Sequence, residues 1–367
     1  MTYLDYNASA PMSGTVIDAM TAAARLGGNP SSVHAYGRKA RAVIEDARAA
    51  VAAAVSAAPG QVVFTSGATE ANALALRGCG RTRVLVSAVE HESVLNAIDG
   101  AECIPVDRDG IVDLDRLRAM LASGGAQTIV AVMLANNETG VIQPLDAVVA
   151  LAREAGALVH CDAVQGPGRI PVDVAALGVA FLSLSAHKLG GPKGVGALIL
   201  RREGTIAAET RGGGQERGLR GGTENLTGIA GFGAAARLVP DALARACAVE
   251  RLRDGLEARL RALAPDAVVF GAGVRRLPNT ACIALPGVGA EAQVMALDLA
   301  GVAVSAGSAC SSGKIKASHV LQAMGMGDDL AGSAVRVSLG PDTSAAEIDA
   351  FVAAWSKLAA RARRSAA

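Results

Sequence analysis

Aromatic residues are scarce in this chain: 2% of 367 residues, with one Trp, three Tyr and five Phe. Its core must be built from aliphatic side chains, and the abundant alanine lets helices pack closely on a sheet. An excess of either charge is missing too, since 35 basic and 34 acidic residues leave a net +1. That balance argues against nucleic acid or an anionic membrane surface as partner. No run of about 18 or more uncharged apolar residues occurs, and no basic segment with an apolar core opens the chain. A soluble, cytoplasmic protein is expected. The six cysteines (79, 103, 161, 247, 282 and 310) form no CxxC pair and no regular spacing. Neither a zinc site nor a disulfide framework is expected.

What the chain has instead is glycine, 43 residues falling in clusters, and short apolar runs separated by helical patterns. The strands expected are Val62–Thr65, Arg83–Ser87, Ile129–Leu134, Leu158–Cys161, Phe181–Ser185 and Ala197–Leu200. Helices are expected over Gly37–Ser56, Thr69–Leu76, Leu114–Leu121, Leu145–Ala155 and Ala230–Leu238. This alternation predicts an α/β fold with a mostly parallel sheet covered on both faces. A long charged helix over Pro240–Ala264 then leads to a smaller α+β unit, with strands at Val268–Phe270, Thr280–Ala284 and Val335–Leu339 and a helix at Ala345–Ala360. The division expected is a large domain over 15–240, and a small domain made of 1–14 with 241–367.

Chemistry concentrates at the strand ends. Lys188 follows the apolar run ending at Ser185 and precedes Gly190-Gly191, which sets it in a tight loop rather than on a helix face. Asp162 ends another run, and Gln165 follows it. A lysine amine and a carboxylate so placed suit pyridoxal phosphate (PLP), the first carrying the cofactor and the second keeping its pyridine nitrogen protonated. The turn Ser66-Gly67-Ala68-Thr69 before a helix reads either as a phosphate cradle or, for Thr69, as a plain N-cap. Beside such a lysine the cradle is favoured. His91 can lie on a cofactor ring and shuttle protons, while structural roles are expected for His34, His160 and His319. Asn137, in Asn136-Asn137-Glu138, reads as a donor to a ring oxygen or substrate carboxylate, or as an Asx turn. The Gly/Arg loop from Gly212 to Thr223 suggests a phosphate or carboxylate site shared across a dimer. Arg336 is a lone cation in an apolar strand, for which a substrate carboxylate is a natural anion. Cys310 lies among Ser and Gly in Gly307–Gly313, where a thiol is accessible, and is the candidate nucleophile. The other five cysteines are expected to be small buried hydrophobes.

Together these segments, with Tyr3–Ala8, Gly28–Ser32, Glu90-His91 and Ser318–Leu321, closely resemble the cysteine desulfurases of the class V aminotransferase family. The resemblance runs nearly end to end, within the longer-loop subgroup that feeds iron–sulfur cluster or nitrogenase assembly. It implies a fold-type I PLP-dependent transferase that converts L-cysteine to L-alanine through a persulfide on Cys310. Lys188 would bear PLP, Asp162 would pair with the pyridine nitrogen, Gln165 with the ring hydroxyl, and His91 would stack on the ring. Ala68, Thr69, Ser185 and His187 would hold the phosphate, with Thr223 arriving from the second subunit of a homodimer. Asn137 and Arg336 would take the substrate carboxylate. A scaffold or sulfur-acceptor protein is the implied partner, with Cys310 as a transient iron–sulfur ligand. Selenocysteine is a rival substrate for the same pocket. A plain aminotransferase has no use for the thiol, and a mere sulfur carrier has none for Lys188, Asp162 and Arg336.

Overall fold

The computed structural model of the chain describes residues 1–201, 206–307 and 317–366. Its larger sheet comprises β2 (Val62–Thr65), β3 (Arg83–Ser87), β4 (Glu102–Ile104), β5 (Thr128–Ala131), β6 (Leu158–Asp162), β7 (Phe181–Ser185) and β8 (Gly196–Leu200), following β1 (Thr2–Tyr3) in the chain. The seven strands lie in the order β2-β8-β7-β6-β5-β3-β4. All pairings are parallel except the two made by β8, so β8 alone runs against the others.

Alternation along each strand explains the layers. Phe64, Leu85, Val130 and Leu182 join the core under helices Ala35–Ala53 and Leu226–Arg237. Their neighbours Val63, Val84, Ile129 and Phe181 join the opposite core under helix Ala68–Gly78. Burial on both faces is why these strands read as continuous apolar runs. Gly196 lets the layers meet at the site: a Cβ there would lie 2.6 Å from the Leu184 carbonyl oxygen and 2.7 Å from the Gly67 backbone. Only glycine allows that approach.

The second sheet is antiparallel, in the order β12 (Ser305–Ala306), β13 (Ala334–Ser338), β10 (Thr280–Ala284), β9 (Val268–Val269). Leu256, Leu260, Phe351 and Trp355 from helices Ala246–Leu263 and Ala345–Ala366 cover it, and Leu4 enters the same core. Next to Leu4, β1 pairs in parallel with β11 (Val302–Ala303).

Three sequence expectations need correction. The long helix over 240–264 is two helices, Val239–Ala244 and Ala246–Leu263, broken at Arg245, whose side chain is drawn to Asp342. An edge strand, β4, and helices Gly14–Ala24 and Ala290–Leu299 add to the elements expected. Cys103, on edge strand β4, and Cys247 are exposed, against the expectation of burial.

Candidate functional site

The carboxyl ends of the parallel strands converge, as open α/β sheets require. Asp162 ends β6, Ser185 ends β7, and Lys188 closes the short turn that follows. Asn7, fully buried, ties these groups together. Its main-chain oxygen accepts from Lys188 Nζ at 2.5 Å and from Gln165 Nε2 at 3.1 Å. Its side-chain Nδ2 donates to the Asn137 carbonyl at 3.1 Å, to which Arg336 also donates at 3.2 Å. Lys188, Gln165, Asn137 and Arg336 are thus linked through one residue of the N-terminal arm. Sequence reasoning gave Asn7 no role, because its partners lie far along the chain.

Two buried ions flank this hub. Asp162 is only 7% exposed, and its carboxylate accepts from Asn72 Nδ2 at 2.9 Å and from the Val164 N–H at 3.0 Å. Both donors are neutral, and Asp162 makes no salt bridge among the described residues. A buried carboxylate without a cation invites one from outside the chain. Behind it, burial and the nearby Asp162 charge push the Glu90 carboxyl well above the usual carboxylate range. The Met133 N–H donates to Glu90 Oε1 at 2.6 Å, and Oε2 has no partner among the described residues.

Arg336, on β13, is 3% exposed and pairs with Asp5 Oδ1 at 2.8 Å; Ser305 donates to the other Asp5 oxygen at 2.8 Å. The anion demanded by a buried arginine is therefore already present in the chain, and that demand alone does not call for a substrate. Arg336 Nε nonetheless has no partner among the described residues. Nearby, burial raises Glu138 to about 7, although Ser318 Oγ donates to it at 2.6 Å.

His91 caps helix Glu92–Leu95, its Nδ1 accepting from the Ser93 N–H at 3.1 Å. His187 is pushed down to about 4 by burial first, then by Lys188 and Lys193, so it is neutral near pH 7. Its Nδ1, like Gln165 Oε1, lacks a partner among the described residues. Thr69 is not an N-cap: helix Ala68–Gly78 starts after Gly67, and Thr69 stands in its first turn beside Ala68. Asn136, not Asn137, builds the Asx turn, its Oδ1 accepting from the Glu138 and Thr139 N–H groups. That leaves the Asn137 side chain out of the turn.

In the Gly/Arg loop the cations are engaged within the chain, Arg220 with Glu70 at 2.8 Å and Arg217 with the Val62 carbonyl at 2.8 Å. Glu216 turns inward to Arg48 at 2.6 Å, and Thr223 stays exposed. The structural roles expected of three histidines appear: His34 caps helix Ala35–Ala53, His160 meets Ser183, and His319 meets the Glu90 carbonyl. Cys310 lies outside the described residues. No cluster of three or more metal-ligating side chains occurs among those described.

This lysine and carboxylate at the strand ends of the larger sheet, with an arginine from the second sheet joined to the lysine through Asn7, can be set against known proteins. The aminotransferase class-V family matches residues 2–351. The chain belongs to that family. Within the class V aminotransferases it is similar to a cysteine desulfurase of Cereibacter sphaeroides, 43% identical over 95% of this chain and 92% of the relative. An IscS-like cysteine desulfurase of Mycobacterium tuberculosis is 39% identical over 100% of this chain and 98% of its own length. Among solved structures, a NifS-like protein from Rickettsia africae superposes with a TM-score of 0.91 at 35% identity, over 98% of this chain and 99% of that one. The fold is thus that of a fold-type I class V aminotransferase, and the chain falls with its cysteine desulfurases.

Proposed function

We propose that this class V aminotransferase is a PLP-dependent cysteine desulfurase, which converts L-cysteine to L-alanine and delivers sulfur for iron–sulfur cluster or nitrogenase cofactor assembly. The observation that carries the reading is Asp162, a buried carboxylate held by neutral donors alone among the described residues, on the strand paired with the one that leads to Lys188. A protonated pyridine nitrogen is the cation it lacks. Gln165 Oε1 and His187 Nδ1, without partners among the described residues, also fit an added polar group.

PLP, when bound, supplies a ring that withdraws electrons from the carbon beside the substrate amine. Lys188 would carry it and then move the Cα proton; Asp162 would keep its nitrogen charged, Gln165 would meet its hydroxyl, and His91 would lie against the ring. Ala68, Thr69, Ser185 and His187 would take the phosphate, with Thr223 of the partner subunit. Asn137 and Arg336 would orient the substrate carboxylate. The Cys310 sulfur attacks the substrate sulfur: an S–S bond forms and the C–S bond breaks. The electron pair stays on the substrate carbon, which takes a proton and leaves as L-alanine. The sulfur left on Cys310 passes to a thiol of an acceptor protein, where Cys310 would be a transient cluster ligand.

We take 15–240 as the cofactor-bearing domain, and 1–14 with 241–367 as its companion. The active unit is read as a homodimer, supported by the exposed apolar side chains Met12, Ile17, Val33 and Tyr36. No helix among the described residues is long and apolar enough to cross a membrane, which agrees with a cytoplasmic site of action.

Incubating the purified protein with L-cysteine should yield alanine, and mass spectrometry should find one added sulfur on the peptide carrying Cys310. Sulfur on Cys161 or Cys282, with Cys310→Ala still active, ends the persulfide assignment. Borohydride reduction should fix the cofactor on Lys188; label on Lys193 refutes that role. Sedimentation should give a dimer, and a fully active monomer would sink the shared site.

A further inference from the structure

His91 is joined to Asp162 by a chain of hydrogen bonds whose direction is set at every link. An ionised carboxylate only accepts, so Asn72 must turn its Nδ2, not its Oδ1, toward Asp162 Oδ2, at 2.9 Å. The same Nδ2 carries a second hydrogen, which goes to Ser93 Oγ at 3.0 Å. Ser93 Oγ, now an acceptor, has its own hydrogen left for His91 Nδ1, 2.9 Å away. The Ser93 main-chain N–H, which can only donate, points at that same Nδ1 at 3.1 Å. Nδ1 therefore receives two donors, and the proton of the neutral ring sits on Nε2.

Packing alone does not explain Asn72. It is fully buried, and its Oδ1 finds no partner among the described residues. Leaving a buried acceptor unmade is a cost that an apolar side chain of similar volume would avoid. The two hydrogens of Nδ2 are what an apolar residue could not supply.

We infer that Asn72 and Ser93 are positioning residues that fix His91 as the Nε2-protonated neutral tautomer and tie it to the carboxylate of Asp162. His91 then presents a proton, not a lone pair, at Nε2. In the reaction proposed above it serves as a proton donor, and the proton that Cys310 must lose goes to another base. This rests on the reading of Asp162 and His91 as cofactor-facing, but the tautomer can be tested without cofactor.

His34 is an internal control. Its Nδ1 also caps a helix, accepting from the Gly37 N–H at 3.2 Å, with no hydroxyl donating to it among the described residues. Imidazole nitrogen shifts by NMR, assigned with His91→Gln, should show Nε2 protonated and Nδ1 accepting more strongly than in His34. Ser93→Ala should move the His91 shifts to those of His34, and Ser93→Thr should restore them. Asn72→Ala should move them part of the way; if it fails to fold, the serine pair decides alone. In the holoenzyme, Ser93→Ala should lower kcat for alanine formation by about tenfold, the worth of one neutral hydrogen bond, with KM for cysteine unchanged. A proton found on Nδ1, or shifts unmoved in Ser93→Ala, overturns the inference. Moved shifts in Ser93→Ala with unchanged kcat remove its catalytic part. If the wild-type protein makes no alanine, the desulfurase reading falls instead, while the tautomer result stands.

Discussion

The two buried ions of the site are held in opposite ways. Arg336 has its counter-ion within the chain, Asp5 at 2.8 Å, whereas Asp162 is held by an amide and a main-chain N–H with no cation among the described residues. A finished ion pair is stable by itself and can lend its remaining donor, here Arg336 Nε, to a visiting carboxylate. An unfinished one is poised for a permanent guest. Under the proposed function, the contrast would separate a place for substrate, at the arginine, from a place for cofactor, at the aspartate.

The sharpest way to break that contrast is Asp162→Asn, which keeps shape and removes charge. Turnover should fall by about 10³-fold, the upper range for removing a group that stabilises charge in the transition state. PLP absorbance titrations should show weaker retention. Full activity in the Asp162→Asn variant would mean that the ring nitrogen needs no anion. Arg336→Ala should leave PLP bound and raise KM for cysteine by about 10²-fold, since truncating one partner of a buried charge pair costs several kcal/mol. Steady-state kinetics with the holoenzyme decides it, and an unchanged KM refutes the role.

Within reach of the Arg336 charge stands Glu138, raised from 4.5 to about 7 mainly by burial. Its folded form binds the proton more tightly than the unfolded chain does. Its contribution to stability is therefore complete below pH 4.5 and is lost as pH rises to about 7. Urea unfolding at successive pH values should show a decline across that window that is about 2–3 kcal/mol smaller in Glu138→Gln than in the wild type. A slope of the opposite sign would place Glu138 in the ionised state. The smallest effect belongs to the thiols. Burial raises Cys161 and Cys282, so they should resist alkylation at neutral pH, while the exposed Cys103 and Cys247 react. Cys103→Ala and Cys247→Ala should not change turnover.

Much of this was legible in the sequence, because a doubly covered parallel sheet writes each strand as an apolar run and puts chemistry at its end. Val62–Thr65, Arg83–Ser87, Phe181–Ser185 and Thr280–Ala284 match their strands residue for residue. Lys188, Asp162 and Arg336 stand out as ionic residues beside apolar runs. Direction was not legible: β8 reads like its neighbours, though it alone is reversed. Nor were the partners. Asp5, Asn7, Asn72 and Ser93 are ordinary polar residues locally, and only the fold shows Asn7 against Lys188 and Asn279, or Asn72 against Asp162. Arg245 carries no breaker signal, although two helices meet there and its side chain pairs with Asp342, far along the chain.

The position of Asn7 also orders events in time. Thr2 pairs with Val302 and the Asn7 N–H donates to Ser338 Oγ, so the arm cannot dock fully until residue 338 has been made. Until then Lys188 lacks the carbonyl of Asn7, and Arg336 lacks Asp5. Closing so long a loop is slow, and contacts of high sequence separation form late. The large sheet can assemble during synthesis, with its strands all between residues 62 and 200. The site itself is completed late: a nascent chain with a finished sheet has no finished pocket.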